Sequence, residues 1–321
     1  MKLSTAFQGY TLARSADGYS PNTIAVYKWA IDLLTHFLND PDIASITRSD
    51  LRAFFKYLRT EYTPTRPSGD ASPLSGSSLE NAWKAIRSLY TWAHTELDIP
   101  RPDTDLPRPR YTSKEIKPLD QDEITALLKA CSATSTAATN GRRPYRMSRP
   151  TARRDRAIIL TLLDTGLRVS ELSRLQIRHL NQKTGEILVI PFGTGQKTKS
   201  RYVYIGKTAS SALWKYLATR TPEPLPEDPL FVTIDGTLMD RNAIRCLLDG
   251  LARRANVTSA HPHKFRHTFA IQYLRNGGDV FTLQRLLGHA SLEMVRKYLT
   301  LADADAQTAH TRASPVDRWQ L

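Results

Sequence analysis

Cysteine is scarce in this 321-residue chain, which has only Cys131 and Cys246, far apart in sequence. Because neither belongs to a CxxC pair or another metal-ligand spacing, we exclude a disulfide scaffold and expect a reducing compartment. No apolar run approaches the roughly 18 residues that span a bilayer. Met1 is not followed by the apolar core of a signal peptide, so we expect an intracellular protein without a membrane partner.

Positive charge, in contrast, is abundant and unevenly distributed, with a net charge of +14 at pH 7. Residues 1–110 carry 13 basic and 12 acidic side chains, whereas residues 111–321 carry 32 and 19. The length and the 40% hydrophobic content allow two domains with real cores. A basic excess confined to one part of the chain indicates a polyanionic partner there, although charge that only aids solubility is the alternative.

The first hundred residues are predicted to be helical throughout. Ser20 before Pro21 is typical of a helix start, and Thr47 to Asp50 opens a further helix. Apolar residues at helical spacing are expected to form the core of a four-helix bundle, which a short helix through Phe7 and Leu12 completes. Five prolines in the segment 100–118 predict a basic linker, which would follow a phosphate backbone or simply be solvated.

From Leu119 onward the pattern mixes helices with two short strands, predicted at 187–191 and 202–205. Asp120 to Glu123 is predicted to cap a helix that runs to about Ala130. Residues 132–150 are poor in apolar side chains and are predicted to form a mobile insertion. A cluster of arginines at 141–156 either grips phosphates or belongs to a flexible arm.

Four segments carry residues capable of chemistry, and the first is Thr165 to Leu172 (TGLRVSEL). Gly166 permits a tight junction between two helices, and the spacing of Arg168 and Glu171 puts them on one helical face. A guanidinium group suits two oxygens of one phosphate, and a carboxylate one turn away can fix its orientation. A surface ion pair is the alternative interpretation.

The second segment, Gly193 to Arg201, lies between the two predicted strands. Its glycines mark a turn with basic side chains at the tip. A lysine there can reach into a groove and donate a proton, or it can belong to an exposed charged hairpin.

The third segment, His261 to Phe269, opens a helix that places His263, Arg266 and His267 at i, i+3 and i+4. Zinc is disfavoured because a lysine replaces the glutamate of an HExxH site and because Arg266 adds positive charge. A histidine beside an arginine fits an anionic phosphate better, and His261 and His267 are then assigned structural roles.

The fourth segment runs from Leu286 to Tyr298. Gly288 is predicted to end one helix and Ser291 to cap the next, which places Tyr298 two turns along it. A tyrosine has a pKa near 10 and needs nearby cations or a base to act as a nucleophile. A half-buried core tyrosine is the alternative.

Taken together, TGLRVSEL, a lysine turn, HxxRH and LGH followed nine residues later by a tyrosine resemble the tyrosine recombinase, or phage integrase, family. The resemblance covers nearly the whole chain and implies a mainly α fold with a small β-sheet. It implies a helical, SAM-like core-binding domain at 1–100, a basic linker at 101–118 and an α+β catalytic domain at 119–301. The tail at 302–321 would dock on a neighbouring protomer or pack on its own domain.

The resemblance also implies a role for each residue of the motifs. Arg168 and Arg266 would hold the non-bridging oxygens of the scissile phosphate, and Tyr298 would attack its phosphorus. His263 would assist proton transfer, His289 would donate a hydrogen bond to the same phosphate, and Glu171 would support the site. Lys197, or alternatively Lys199, would protonate the leaving 5′-oxygen. The residues expected to bind DNA are Lys199, Arg201, Arg142, Arg143, Lys114 and Lys117.

The function implied by the resemblance is site-specific DNA recombination through a 3′-phosphotyrosyl intermediate, without a metal ion, another cofactor or ATP. The partner would be double-stranded DNA at paired recombination sites, bound by a homo-tetramer that assembles from monomers. The location would be the prokaryotic cytoplasm and its nucleoid. Relaxation of DNA, as in type IB topoisomerases, and non-catalytic DNA binding are the alternatives.

Overall fold

The computed structural model describes residues 1–66, 69–112, 116–132, 147–191, 200–289 and 291–302, with the single residues Ser314, Val316 and Trp319. The chain divides into two compact units, Met1–Lys114 and Glu115–Leu321, and each is described by itself. Among the described residues, helices predominate and one small sheet is present, which confirms the predicted fold class. None of the helices described combines the length and the apolar character needed to cross a membrane.

Four helices form the first unit, and their starts follow capping signals in the sequence. The Ser20 side chain accepts a hydrogen bond from the backbone N–H of Thr23, with Pro21 in the first helical position. Thr47 and Asp50 form a capping box. The helices are α1 (Leu3–Ala16), α2 (Pro21–Phe37), α3 (Arg48–Thr60) and α4 (Gly76–Leu97), with a 3-10 turn at Ile43–Ser45.

The apolar faces of these helices meet in one aromatic-rich core. Tyr10, Phe54 and Tyr90 are fully buried, and the rings of Phe37 and Tyr57 stack with their centroids 4.9 Å apart. The prediction that the apolar residues at helical spacing form the core of this bundle is therefore confirmed.

The basic segment after α4 packs on the first unit. The Arg108 guanidinium pairs with the buried carboxylate of Glu80, which also accepts a hydrogen bond of 2.8 Å from the Tyr111 hydroxyl. Arg101 donates two hydrogen bonds to the fully buried Asp103. The sequence predicted a linker that follows a phosphate backbone or is solvated; in the structure Arg108 is paired with a carboxylate of α4, and Arg101 with a carboxylate inside the segment itself.

The second unit combines helices with an antiparallel sheet of order β1-β2-β3. The strands are β1 (Leu180–Asn181), β2 (Glu186–Val189) and β3 (Arg201–Tyr204), and Val189 pairs with Arg201. The helices are α5 (Gln121–Ser132), α6 (Ala152–Thr165), α7 (Val169–Leu172), α8 (Lys207–Leu217), α9 (Arg241–Ala255), α10 (Pro262–Arg275), α11 (Val280–Leu287) and α12 (Glu293–Ala302), with a 3-10 turn at Ile177–His179. The predicted cap of α5 is present: the backbone N–H of Glu123 donates to the Asp120 carboxylate at 2.7 Å, and the backbone N–H of Asp120 donates to the Glu123 carboxylate at 3.1 Å.

Part of the predicted arginine cluster stabilises the start of α6. Asp155 is fully buried, and its carboxylate pairs with Arg149 at 2.7 Å and Arg154 at 2.9 Å. Arg153 and Arg156 are exposed. Arg142, Arg143, Arg146 and most of the predicted insertion lie outside the described residues.

Packing within the second unit brings the end of α6 and the end of α11 against helix α10. Helix α10 packs against α6, α11 and α12, and α11 packs against β3. Gly166 ends α6 in the left-handed conformation with φ of 61°. A Cβ atom at this position would overlap Cδ1 of Phe269 and lie 2.9 Å from Cδ2 of Leu287. Glycine therefore allows the close approach that places the first, third and fourth motifs side by side.

Candidate active site

The first motif forms a closed hydrogen-bonded turn at the start of α7. Arg168 precedes the helix, and its backbone N–H donates to Oε2 of Glu171 at 2.8 Å. The Arg168 Nη1 atom donates to Oε1 of the same carboxylate at 3.0 Å. We expected the pair on one face of a longer helix. The four-residue α7 instead makes Glu171 both the cap partner of the Arg168 backbone and the ion-pair partner of its side chain.

Arg266 connects the first, third and fourth motifs. Its side chain is buried, with the residue 4% exposed. Nη1 donates to the Gly166 carbonyl at 2.7 Å, and Nη2 donates to the Leu287 carbonyl at 2.7 Å and to Nε2 of His289 at 2.8 Å. Burial, followed by the nearby charge of Arg168, lowers the pKa of Arg266 to about 10. The guanidinium thus remains charged at neutral pH, although burial and the charge of Arg168 both disfavour its protonated form.

His289 follows the left-handed Gly288, which ends α11 as predicted. Burial and the charge of Arg266 lower the pKa of His289 to about 4, so its imidazole is neutral. Since Nε2 accepts from Arg266, the proton lies on Nδ1, which is buried and has no partner among the described residues. The predicted cap Ser291 lies two residues before the first residue of α12, and the Leu292 carbonyl accepts the first helical bonds instead.

Tyr298 points from α12 into this cluster and is 5% exposed. Its ring stacks with His289 at a centroid separation of 6.3 Å, and its hydroxyl lies 2.8 Å from Nδ1 of His267. Burial raises the pKa of Tyr298, while the charges of Arg266 and Arg168 oppose the rise. The phenol is therefore protonated at neutral pH, close to two guanidinium groups.

His267 is the residue that sequence reasoning missed. We assigned it a structural role, but it is the direct hydrogen-bond partner of Tyr298. Burial and the neighbouring His263 lower its pKa to about 4, so the imidazole is neutral. The signal available in the sequence was the i, i+4 spacing from His263, which places both rings on one side of α10 with centroids 6.5 Å apart.

Arg201 lies inside the unit, where its side chain is 11% exposed. Nη1 and Nη2 donate to the two oxygens of Glu171 at 3.0 and 2.9 Å, and Nε donates to the Leu286 carbonyl at 2.7 Å. We expected Arg201 to contact DNA. Its guanidinium instead is directed at acceptors within the protein.

Only three of the remaining predicted residues, His261, His263 and Lys117, lie within the described part of the chain. His263 lies on the first turn of α10, and desolvation of the part of its ring that faces the unit, together with the charge of Arg266, lowers its pKa. His261 caps α10, in agreement with the structural role predicted for it. Lys117 is exposed. Lys197, Lys199, Arg142, Arg143 and Lys114 lie outside the described residues, as does most of the predicted tail.

Comparison with known families covers both units. The profile described as the phage integrase family matches residues 117–305, and the profile of the phage integrase N-terminal SAM-like domain matches residues 7–98. Tyrosine recombinase XerC of Oceanobacillus iheyensis is 29% identical over 313 residues, which cover 92% of this chain and 91% of that protein. Tyrosine recombinase XerC of Yersinia pestis is 30% identical over 244 residues, which cover 75% and 74%.

Two solved structures share the fold. The Tn1549 transposon integrase in complex with transposon right end DNA superposes with a TM-score of 0.71 at 19% identity, over 100% of both chains. The XerH site-specific recombinase bound to a palindromic difH substrate gives a TM-score of 0.68 at 20% identity, over 97% of this chain and 85% of that one.

Proposed function

The chain belongs to the phage integrase family and is a site-specific DNA recombinase, and we propose that it breaks and rejoins strands through a 3′-phosphotyrosyl link to Tyr298. The observation that carries the proposal is the cluster in which the Arg266 guanidinium bonds His289 and the His289 ring stacks on Tyr298. Arg168 is close enough for its charge to lower the pKa of Arg266. Cations around a nucleophile suit phosphoryl transfer, because negative charge develops on the phosphate oxygens.

In the proposed cleavage step, the Tyr298 oxygen forms a bond to phosphorus while the bond from phosphorus to the 5′-oxygen breaks. Arg168 and Arg266 hold the non-bridging oxygens, and the Nδ1–H of His289 donates to the same phosphate. Nδ1 of His267, 2.8 Å from the phenol hydroxyl, accepts the phenol proton with His263 assisting the transfer. Lys197, with Lys199 as the alternative, protonates the leaving oxygen.

Rejoining is the reverse of this step with a 5′-hydroxyl from another strand. The phosphotyrosyl ester conserves the energy of the broken phosphodiester, so the proposed cycle uses no ATP. The arginines and the lysine supply the positive charge, and the cycle includes no metal ion. Burial raises the pKa of Tyr298, so the phenol keeps its proton until a base removes it during the attack.

The test is covalent capture of DNA on a nicked suicide substrate in the presence of EDTA. The wild-type protein should form a complex that survives denaturation, and Tyr298→Phe should form none. Tyr273→Phe is the matched control, because Tyr273 packs against the same small core cluster as Tyr298. Capture that persists in Tyr298→Phe would refute the assignment of the nucleophile.

Covalent capture and a plasmid-relaxation assay together separate the alternative functions. A wild-type protein that binds DNA but never forms the covalent complex would be a non-catalytic binder. Relaxation of arbitrary supercoiled plasmid by monomers, without strand exchange between paired sites, would identify an activity of the topoisomerase type.

We further propose that the DNA-bound form is a homo-tetramer on two paired sites, assembled from monomers in the cytoplasm and located on the nucleoid. Native mass spectrometry of the protein with and without two site duplexes measures both states.

The proposed phosphate contacts of Lys117, Lys114, Arg142 and Arg143 are tested by salt titration, because each lost contact should reduce the slope of log K against log salt by about 1.

A further inference from the structure

We propose that Arg201 is a positioning residue of the recombination reaction, which holds Glu171, and through it Arg168, in register with the turn that carries His289. The inference rests on the proposed function, since it assigns Arg201 a part in building that active site. It replaces the expectation that Arg201 binds DNA.

The Glu171 carboxylate is the centre of the contact. Oε1 accepts from Nη1 of Arg168 and Nη1 of Arg201, both at 3.0 Å. Oε2 accepts from the Arg168 backbone N–H at 2.8 Å and from Nη2 of Arg201 at 2.9 Å. Two charged side chains and one backbone donor therefore fix the carboxylate in a single orientation. Arg168 can depart from its position only by breaking bonds that Arg201 helps to align.

The third donor of Arg201 reaches the other side of the site. Its Nε donates to the Leu286 carbonyl at 2.7 Å, and the next carbonyl, Leu287, accepts from Arg266 at 2.7 Å. Two arginines thus hold successive carbonyls at the end of α11, which only Gly288 separates from His289. Arg201 is the only described side chain that bonds both Glu171 and this turn.

Gly288 supports the same arrangement. A Cβ atom added to it would lie 3.1 Å from Cζ and Nη1 of Arg201. The guanidinium therefore lies close to Gly288, in space that a larger residue would need. This packing gives the glycine a second purpose besides its left-handed φ of 64°.

Charge and burial favour the positioning role over DNA contact. The side chains of Arg201 and Glu171 are 11% and 13% exposed. Burial would raise the pKa of Glu171, but the hydrogen bonds and charge of Arg201, with those of Arg168, lower it. Glu171 therefore stays ionised and neutralises one of the two arginines that it binds. Arg201 is also the first residue of β3, paired with Val189, so it anchors the strand that follows the lysine segment.

The test begins with Arg201→Lys, which keeps the charge and loses the planar set of donors. In metal sites, groups that orient a ligand contribute about 10- to 100-fold to activity, and we expect an orienting group here to act on a similar scale. We therefore expect single-turnover formation of the covalent complex to slow by about 10-fold or more. The dissociation constant for the site DNA and its salt dependence should stay within about 2-fold of wild type, because no phosphate contact is lost.

Arg220→Lys is the matched control. Arg220 is a partly buried arginine of the same unit whose Nη1 donates to the Pro229 carbonyl at 2.6 Å. The Arg220→Lys variant should cleave at the wild-type rate. Comparison of the unfolding midpoints of the two variants with that of the wild type separates a loss of fold from a loss of alignment. A covalent complex formed by wild type and this control, with no defect in Arg201→Lys, would overturn the inference and leave the proposed function standing. No complex in any of them would overturn the proposed function itself.

A double-mutant cycle with Glu171→Gln distinguishes positioning from a general structural effect. If Arg201 acts through Glu171, the double variant should be no slower than the slower single variant, within about 2-fold. Multiplied losses would refute the coupling, as would a wild-type rate for Glu171→Gln alone. A reduced DNA affinity with a smaller salt slope in Arg201→Lys would restore the DNA-binding interpretation and refute this one.

Discussion

Replacement of Gly166 by alanine should destabilise the second unit far more than a typical surface change. The residue has a φ of 61°, which an L side chain adopts only at a cost of about 1–2 kcal/mol. The added methyl would also overlap Phe269 and lie 2.9 Å from Leu287. Overpacking of this kind costs about 1–3 kcal/mol. The two effects together predict a loss of about 2–5 kcal/mol in the free energy of unfolding.

Gly236→Ala is the control that isolates the backbone contribution. Gly236 lies in the same unit with a φ of 77°, and an added Cβ would meet nothing within 4 Å. Its substitution should cost only the backbone strain of about 1–2 kcal/mol. The difference between the two variants therefore measures the packing of α6 against α10 and α11.

Urea unfolding read by hydrogen-exchange mass spectrometry is suitable, because peptides from α6 and α10 report the second unit separately from the first. Equal losses for Gly166→Ala and Gly236→Ala would refute the packing argument. The Gly166 carbonyl accepts from Arg266 at 2.7 Å, so Gly166→Ala should also slow covalent complex formation at temperatures where it remains folded, whereas Gly236→Ala should not.

Three further predictions concern charge and reactivity. Burial lowers the pKa of His267 and His289 from 6.5 to about 4. Between these pH values the unfolded chain binds more protons than the folded protein, so the free energy of unfolding should fall as the pH drops from 6.5 towards 4, which thermal denaturation would measure. Asp155→Asn should cost about 3–5 kcal/mol in urea unfolding, because its two arginine partners would lose their buried carboxylate. Burial raises the pKa of Cys131 to about 12, so iodoacetamide should modify the exposed Cys246 in the native protein and reach Cys131 only after unfolding.

Local signals in the sequence were sufficient for much of the first unit. A serine before a proline, a threonine three residues before an aspartate and apolar residues at helical spacing act within one or two turns of chain. The helices that they predict are present, and the stripes form the core. The pairing of Arg108 with Glu80 joins residues 28 apart in sequence, and no local pattern encodes such a partner.

The sequence by itself determined which residue types the second unit offers: two arginines, imidazoles and a tyrosine in four ordered motifs, with glycines where α6 and α11 end. The tertiary structure decided how they are used. His267, not a more distant base, bonds Tyr298, and Arg201 turns inward to Glu171 and Leu286. A side chain's charge and donors follow from its identity, whereas its partner depends on which helices approach closely, and that is fixed only when the whole core packs.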